Sequence, residues 1–203
     1  MTRKATPLDM LHPYPAYKDS GVEWVGDIPT HWTTVRFKSI FRQSSLRNGI
    51  TNELPMLSVS GYRGVEIKEY DDENRRRSAE DLENYLVVKP GQLAVNTMWL
   101  NFRGLGVSHH HGTVSPAYKV YDILKGDRTY LHHLLRSDAY VDEYTKLARG
   151  IRPNSLQIST SDFENIQALT PPLAEQATIA AFLDHETARI DELVREQELL
   201  LED

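Results

Sequence analysis

The sequence contains no cysteine. That excludes disulfide staples and thiolate metal sites, and it fits a reducing compartment, with the cytoplasm as the expectation. No apolar run approaches the roughly 18 residues that a membrane span needs. The N-terminal stretch MTRKATPLDM has two basic residues but no apolar segment after them, so it does not read as a secretory signal. No internal repeat is found. A bulk excess of positive charge is missing as well: the formal net charge is −6. Its distribution matters more than its sum. Residues 171–203 carry nine acidic side chains against two basic ones, which leaves 20 acidic against 21 basic in residues 1–170. The acidity belongs to the C-terminal segment, and the near-neutral remainder is free to carry a basic face.

The 203 residues, 40% hydrophobic and 26% charged, suit one ordinary globular domain with an appendage, or two small domains. The expected fold class is α+β: a mixed, strand-rich body over residues 1–170, with residues 1–34 as an extended lead-in, followed by a long helix over 171–203. The lead-in is dense in Pro, Gly and aromatics, with turns at Ser20-Gly21 and Ile28-Pro29. Val35 to Phe41 fits a strand or a short helix equally well. LPMLSVS (Leu54 to Ser60) and GVEIKEY (Gly64 to Tyr70) read as two strands around a turn at 61–64. Ser78 ahead of Asp81 resembles a capping box. VVKPGQLAVNTM reads as strand, Pro-Gly turn and strand. Thr129 to Ala148 has helical spacing, and Arg149 to Thr170 reads as loop, strand and loop.

The C-terminal segment is the most regular part. Pro171 and Pro172 suit a helix start, where the first turn leaves N–H groups unpaired in any case. Ile179, Leu183, Glu186, Ile190, Leu193, Gln197 and Leu200 then follow alternating spacings of four and three, an a/d seam suited to pairing with another helix.

Several stretches together carry a family resemblance: YPAYKDSGVEWVGDIPTHW (Tyr14 to Trp32), LSVSGYRGV (Leu57 to Val65), GQLAVNTMWL (Gly91 to Leu100), GTVSPAYKVY (Gly112 to Tyr121) and LTPPLAEQATIAAFLDHETARIDEL (Leu169 to Leu193). The chain resembles the specificity subunit of type I restriction–modification systems, in a half-length form with one target-recognition domain and one spacer helix. The resemblance implies a non-catalytic subunit that reads one half of a bipartite target on double-stranded DNA. It further implies docking to modification (methyltransferase) subunits, which would hold S-adenosylmethionine, and a place for a restriction subunit. A complete member has two recognition domains and two spacer helices. The expectation is therefore either a homodimer through the C-terminal helix or a second half within a longer specificity subunit. The residues agree on the missing chemistry. There is no Asn-Pro-Pro-Tyr type methyltransferase motif, since TPPL at Thr170 lacks both the amide and the aromatic, and no Gly-rich strand-to-helix turn for a nucleotide cofactor.

Base reading needs fixed donors and acceptors, notably Arg toward guanine and Asn toward adenine, and phosphate clamping needs basic and small polar groups. Loops with such groups supply the DNA-binding candidates: Arg47 and Asn48; Tyr62 and Arg63; Asn96, Trp99 and Arg103, with Asn101 between them; and Arg149, Arg152, Asn154 and Ser155. SHHHG adds His109 and His110. His109 and His111 point to one face of a strand and would be the only pair able to share an ion, but no acidic partner stands nearby, so no metal site is expected. The run Arg75-Arg76-Arg77 follows Asp71-Asp72-Glu73 and reads as a neutralised turn. Two other readings compete with DNA recognition: a metal-dependent hydrolase built on His109 and His111, and a pure oligomerisation module.

Overall fold

A computed structural model of the chain describes residues 12–50, 54–69, 82–150 and 157–202. The expected capping box at Ser78 and the Arg75–Arg77 run lie outside the described residues. The lead-in folds as an antiparallel hairpin of β1 (Tyr17–Asp19) and β2 (Asp27–Pro29), with Tyr17 opposite Pro29. The ambiguous stretch after it is both a strand and a helical turn. β3 (Thr33–Arg36) ends in a 3₁₀ turn over Phe37–Ser39, and β4 (Phe41–Ser44) follows in a different sheet.

The centre is a four-stranded antiparallel sheet in the order β4, β11 (Lys119–Ile123), β8 (Leu93–Val95), β9 (Leu105–Val107). Successive side chains on a strand face opposite ways, so a sheet buried on both faces needs apolar residues at consecutive positions. Leu93, Val95 and Tyr121 enter one core with Phe37, Phe41, Tyr140, Tyr144 and Phe163, while Ala94 and Val120 enter a second with Leu57, Val59, Val88 and Val114. The second core is closed by two small antiparallel pairs. One is β5 (Leu57–Ser60) with β6 (Gly64–Ile67); the other is β7 (Leu86–Val88) with β10 (Gly112–Val114). β7 and β8 flank the Pro90-Gly91 turn but do not pair with each other; the turn carries the chain from one sheet to the next.

Helices close the first core. The helical stretch expected over 129–148 is two helices, α1 (Arg128–Arg136) and α2 (Asp138–Leu147), broken at Ser137, whose backbone is extended (φ −67°, ψ 154°). Past the break Tyr140 and Tyr144 enter the core, while Arg136, just before it, reaches the carbonyls of Gly61, Tyr62 and Leu105. A short helix α3 (Thr160–Asn165) replaces part of the expected loop. Ser159 Oγ accepts from the Asp162 N–H at 3.0 Å and donates to its carboxylate at 2.8 Å. β12 (Gln167–Thr170) then pairs with β3.

α4 (Leu173–Glu202) is long, about 45 Å at roughly 1.5 Å per residue. Its entry explains PPLAEQ physically. Gln176 is buried; its Nε2 donates to Pro171 O at 2.8 Å and its Oε1 accepts from the Asp127 N–H at 2.8 Å, next to the side chain that caps α1. Glu175 accepts from the Tyr14 hydroxyl, from Trp32 Nε1 at 3.0 Å and from His31 Nε2 at 2.8 Å, clasping the lead-in to the helix. Ile179 packs against the body and Leu183 is half-buried. From Thr187 to Leu201 every side chain is exposed, and past Asp191, whose carboxylate still meets the Tyr62 hydroxyl, the helix projects beyond the body. Among the described residues, no helix is long and apolar enough to cross a membrane.

Candidate nucleic-acid interface

The β5–β6 hairpin tip and the β8–β9 loop touch backbone to backbone. A Cβ at Gly61 would lie 2.1 Å from Phe102 O, so only glycine permits this approach. The Arg136 guanidinium pins both segments. Its two terminal nitrogens donate to the carbonyls of Ser60, Gly61, Tyr62, Arg103 and Leu105 at 2.7 to 3.3 Å. Burial and then the neighbouring Arg103 lower its pKa from the usual arginine value. Five carbonyl acceptors offset the cost of holding this cation below the surface.

Around that strut lies a cleft of about 970 Å³, bounded by the hairpin tip, the Pro90-Gly91 turn, α1 and the inner face of α4. Arg63, Arg103, Arg128 and Arg136 line it against two carboxylates, Asp184 and Asp191. Both carboxylates tie the body to the helix: His133 Nε2 lies 2.6 Å from Asp184 Oδ1, and the Tyr62 hydroxyl donates to Asp191 Oδ1 at 3.2 Å. On the cleft wall, His132 Nδ1 accepts from the Val107 N–H at 3.2 Å. Burial, reinforced by the positive fields of Arg136, His133 and His109 and opposed by Asp184, pulls its pKa down to about 4. It is thus a neutral wall residue at pH 7.

A second, shallower cleft of about 580 Å³ lies at the other end of the β8–β9 loop. Lys119, Arg149, Thr97, Gln157 and Asp162 line it. Gln157 Nε2 donates to Thr97 Oγ1 at 3.2 Å, and Arg149 and Gln157 exchange backbone hydrogen bonds at 3.0 Å, so two of the expected loops meet here.

The other sequence candidates divide by exposure. Tyr62 is 70% exposed, and Arg63 stands 5.9 Å from its ring centre while pairing with Glu66 at 3.4 Å. Trp99 is 55% exposed. Arg103, at a left-handed φ of 56°, donates to Arg136 O at 3.0 Å and pairs with Asp138. Arg149 is largely exposed, 3.9 Å from Asp162. His109 is exposed and faces the larger cleft, while His110 is half-buried in a turn closed by Ser108 Oγ. Arg47 Nη1 donates to Asn84 O at 2.7 Å, bracing its own loop.

Asn48 and Asn96 differ from the expectation. At 1% and 5% exposure their amides lie inside the body. Asn96 Nδ2 donates to the Tyr118 hydroxyl at 2.9 Å and its Oδ1 accepts from the Met98 N–H, an organising role within the loop. Arg152, Asn154 and Ser155 lie outside the described residues. Among the described residues, no group of three or more His, Cys, Asp or Glu is placed to hold a metal ion. The sequence reading missed Arg136, Arg128, Lys119 and Phe102. The only signal for Phe102 was its place three residues after Trp99; the three cations sit in helix and strand patterns that mark none of them.

No protein-family model matches the sequence, and no curated protein matches it significantly. Solved structures do match. One is a chain from a structure of the type I restriction–modification system concerning complex assembly and conformational transition, with a TM-score of 0.56, 18% identity and 85% of this chain covered. Another is the HsdS subunit from Thermoanaerobacter tengcongensis, with a TM-score of 0.53, 16% identity and 89% coverage. A third is the type I restriction–modification S subunit from M. genitalium, with a TM-score of 0.52, 14% identity and 80% coverage. The chain therefore has the fold of a type I specificity subunit, mixed α+β with a long C-terminal helix. It spans only 42%, 42% and 41% of those three chains.

Proposed function

We propose that the chain is a non-catalytic DNA-recognition module that reads one half of a bipartite target. In this reading, the two clefts and the loop between them face the duplex. The projecting half of α4 sets the distance to a second recognition unit and docks modification subunits, which carry S-adenosylmethionine and the methyl-transfer chemistry. The observation that carries the reading is the juxtaposition of arginine-lined clefts on a specificity-subunit fold. The larger cleft gathers Arg63, Arg103, Arg128 and Arg136, of which Arg63 and Arg103 pair with Glu66 and Asp138, and the smaller gathers Lys119 and Arg149 beside Asp162, on a chain whose net charge is −6. Exposed apolar residues at Ile190, Leu193, Val194 and Leu200 support the helical role, because a projecting helix with an unpaired apolar seam is suited to another helix.

Fluorescence anisotropy with a labelled duplex across a salt series tests this reading. Binding should weaken linearly on a log–log plot, with a slope near −0.9 per phosphate neutralised. Arg149→Ala and Arg63→Ala should each make the slope shallower. A chain that binds no duplex at low salt would refute the proposal.

A further inference from the structure

The β8–β9 loop is built to hold apolar rings in water. Its base is closed by the Asn96 N–H donating to Gly104 O at 2.8 Å, and the Trp99, Phe102 and Gly104 N–H groups donate within the loop at 2.8 to 3.0 Å. Leu100, 3% exposed, anchors it in the main core. A Cβ at Gly104 would lie 2.6 Å from Trp99 O, so the loop closes this tightly only with glycine there. On that rigid base, Trp99 and Phe102 are each 55% exposed, with ring centres 5.4 Å apart and planes at 52°. Tyr62, more exposed still, stands on the adjoining hairpin tip.

The surroundings indicate what covers these rings. The loop starts at Thr97 in the cleft of Lys119 and Arg149 and ends at Arg103 in the cleft of Arg63 and Arg128. Among the described residues, Lys119 and Arg128 make no ion pair, so both remain available to an anion. An apolar crest flanked on two sides by cations complements one arrangement in particular: an apolar base stack flanked by two phosphate backbones. Resting on the DNA-recognition reading above, we propose that Trp99 and Phe102 form a wedge that enters a base step and unstacks it, while the cations on either side hold the phosphates. The contact would add selectivity through the deformability of the step rather than through base-edge hydrogen bonds.

The test compares two labelled duplexes of one sequence containing a TA step, one intact and one with a single-nucleotide gap at that step. The gap supplies the unstacking beforehand. The full chain should bind the gapped duplex on the order of 10-fold more tightly. The Trp99→Ala/Phe102→Ala variant should lose that preference to within about 2-fold, with an unchanged thermal midpoint to show that it folds. Trp99→Leu should keep part of the preference, since a wedge needs an apolar body rather than an indole. Equal wild-type affinity for the two duplexes, or a preference that survives in the double variant, would overturn the wedge and turn the crest toward a protein partner. Failure to bind either duplex would instead overturn the DNA-recognition reading, and the wedge with it.

Discussion

Nη2 of Arg136 donates to the carbonyl oxygen of Gly61 at 2.8 Å, joining the end of α1 to the tip of the β5–β6 hairpin. The same side chain serves four further carbonyls on the hairpin and the β8–β9 loop. One half-buried cation thus sets the relative position of Tyr62, Arg63 and Arg103.

Replacing Arg136 with methionine keeps most of the volume and removes every donor. Its carbonyl acceptors would lose charged partners below the surface, so the cost should be about 2–4 kcal/mol. Urea unfolding followed by tryptophan fluorescence measures it. A loss below about 0.5 kcal/mol would show that the strut is dispensable.

His132 makes stability depend on pH. Its folded pKa is depressed to about 4 from the ordinary 6.5, so the unfolded chain binds the proton more readily. The corresponding stability is fully present above about 6.5 and is lost as pH falls from there toward 4. Arg136, His133, His109 and Asp184 are the charged or titratable groups acting on the ring. Unfolding midpoints measured from pH 7 to 5 should fall in the wild type and fall less steeply in His132→Phe. Parallel curves would remove His132 as the cause.

The Glu175 clasp has the opposite chemistry and a lower pH window. Burial alone would raise its pKa, but hydrogen bonds from Tyr14, Trp32 and His31 outweigh burial and hold it below the usual glutamate value. Its contribution is therefore present above the ordinary glutamate pKa and is lost as pH falls through the lowered one. Glu175→Ala removes three hydrogen bonds whose donors water can partly reach, and should cost about 1 kcal/mol. Trp32 fluorescence should shift as the lead-in loosens, and an unchanged spectrum with unchanged stability would contradict the clasp.

The projecting half of α4 should govern association and leave the body's stability alone. Leu193 and Leu200, 53% and 70% exposed, make no contribution to either core. Leu193→Glu/Leu200→Glu should leave the thermal midpoint within about 2 °C of wild type, because the body loses no contact. In light scattering, the wild type should approach twice 23.3 kDa with rising concentration, and the variant should stay single. A wild type that stays single throughout would contradict self-pairing.

Much of this fold was legible where periodicity is long or turn chemistry is strong. The α4 helix, its Pro-Pro entry and the hairpin around Gly61 to Gly64 follow directly from the sequence. The break at Ser137 was hidden because apolar spacing runs through it; Ser-Asp, a cap followed by an acidic first residue, was the available signal. α3 was missed although Ser159 and Asp162 stand at capping-box spacing, because six residues show too little periodicity. VVKPGQLAV reads as two strands around a Pro-Gly turn, as found, but which strands pair is decided by distant segments that local pattern does not reveal. The candidate site was legible by loop rather than by side chain. Asn48 and Asn96 share the composition of exposed readers, yet tertiary packing turns them inward. The a/d seam likewise does not register that Ile179 has a partner in the body and Leu200 does not.

The most direct test of the central claim is selection from a randomised duplex pool with the full chain, sequenced over successive rounds, with the Arg63→Ala/Arg149→Ala variant alongside. The account predicts enrichment of a short defined motif, repeated as an inverted pair at fixed spacing if two chains bind together, and its loss or change in the variant. Retained DNA at moderate salt with no sequence enriched would contradict it.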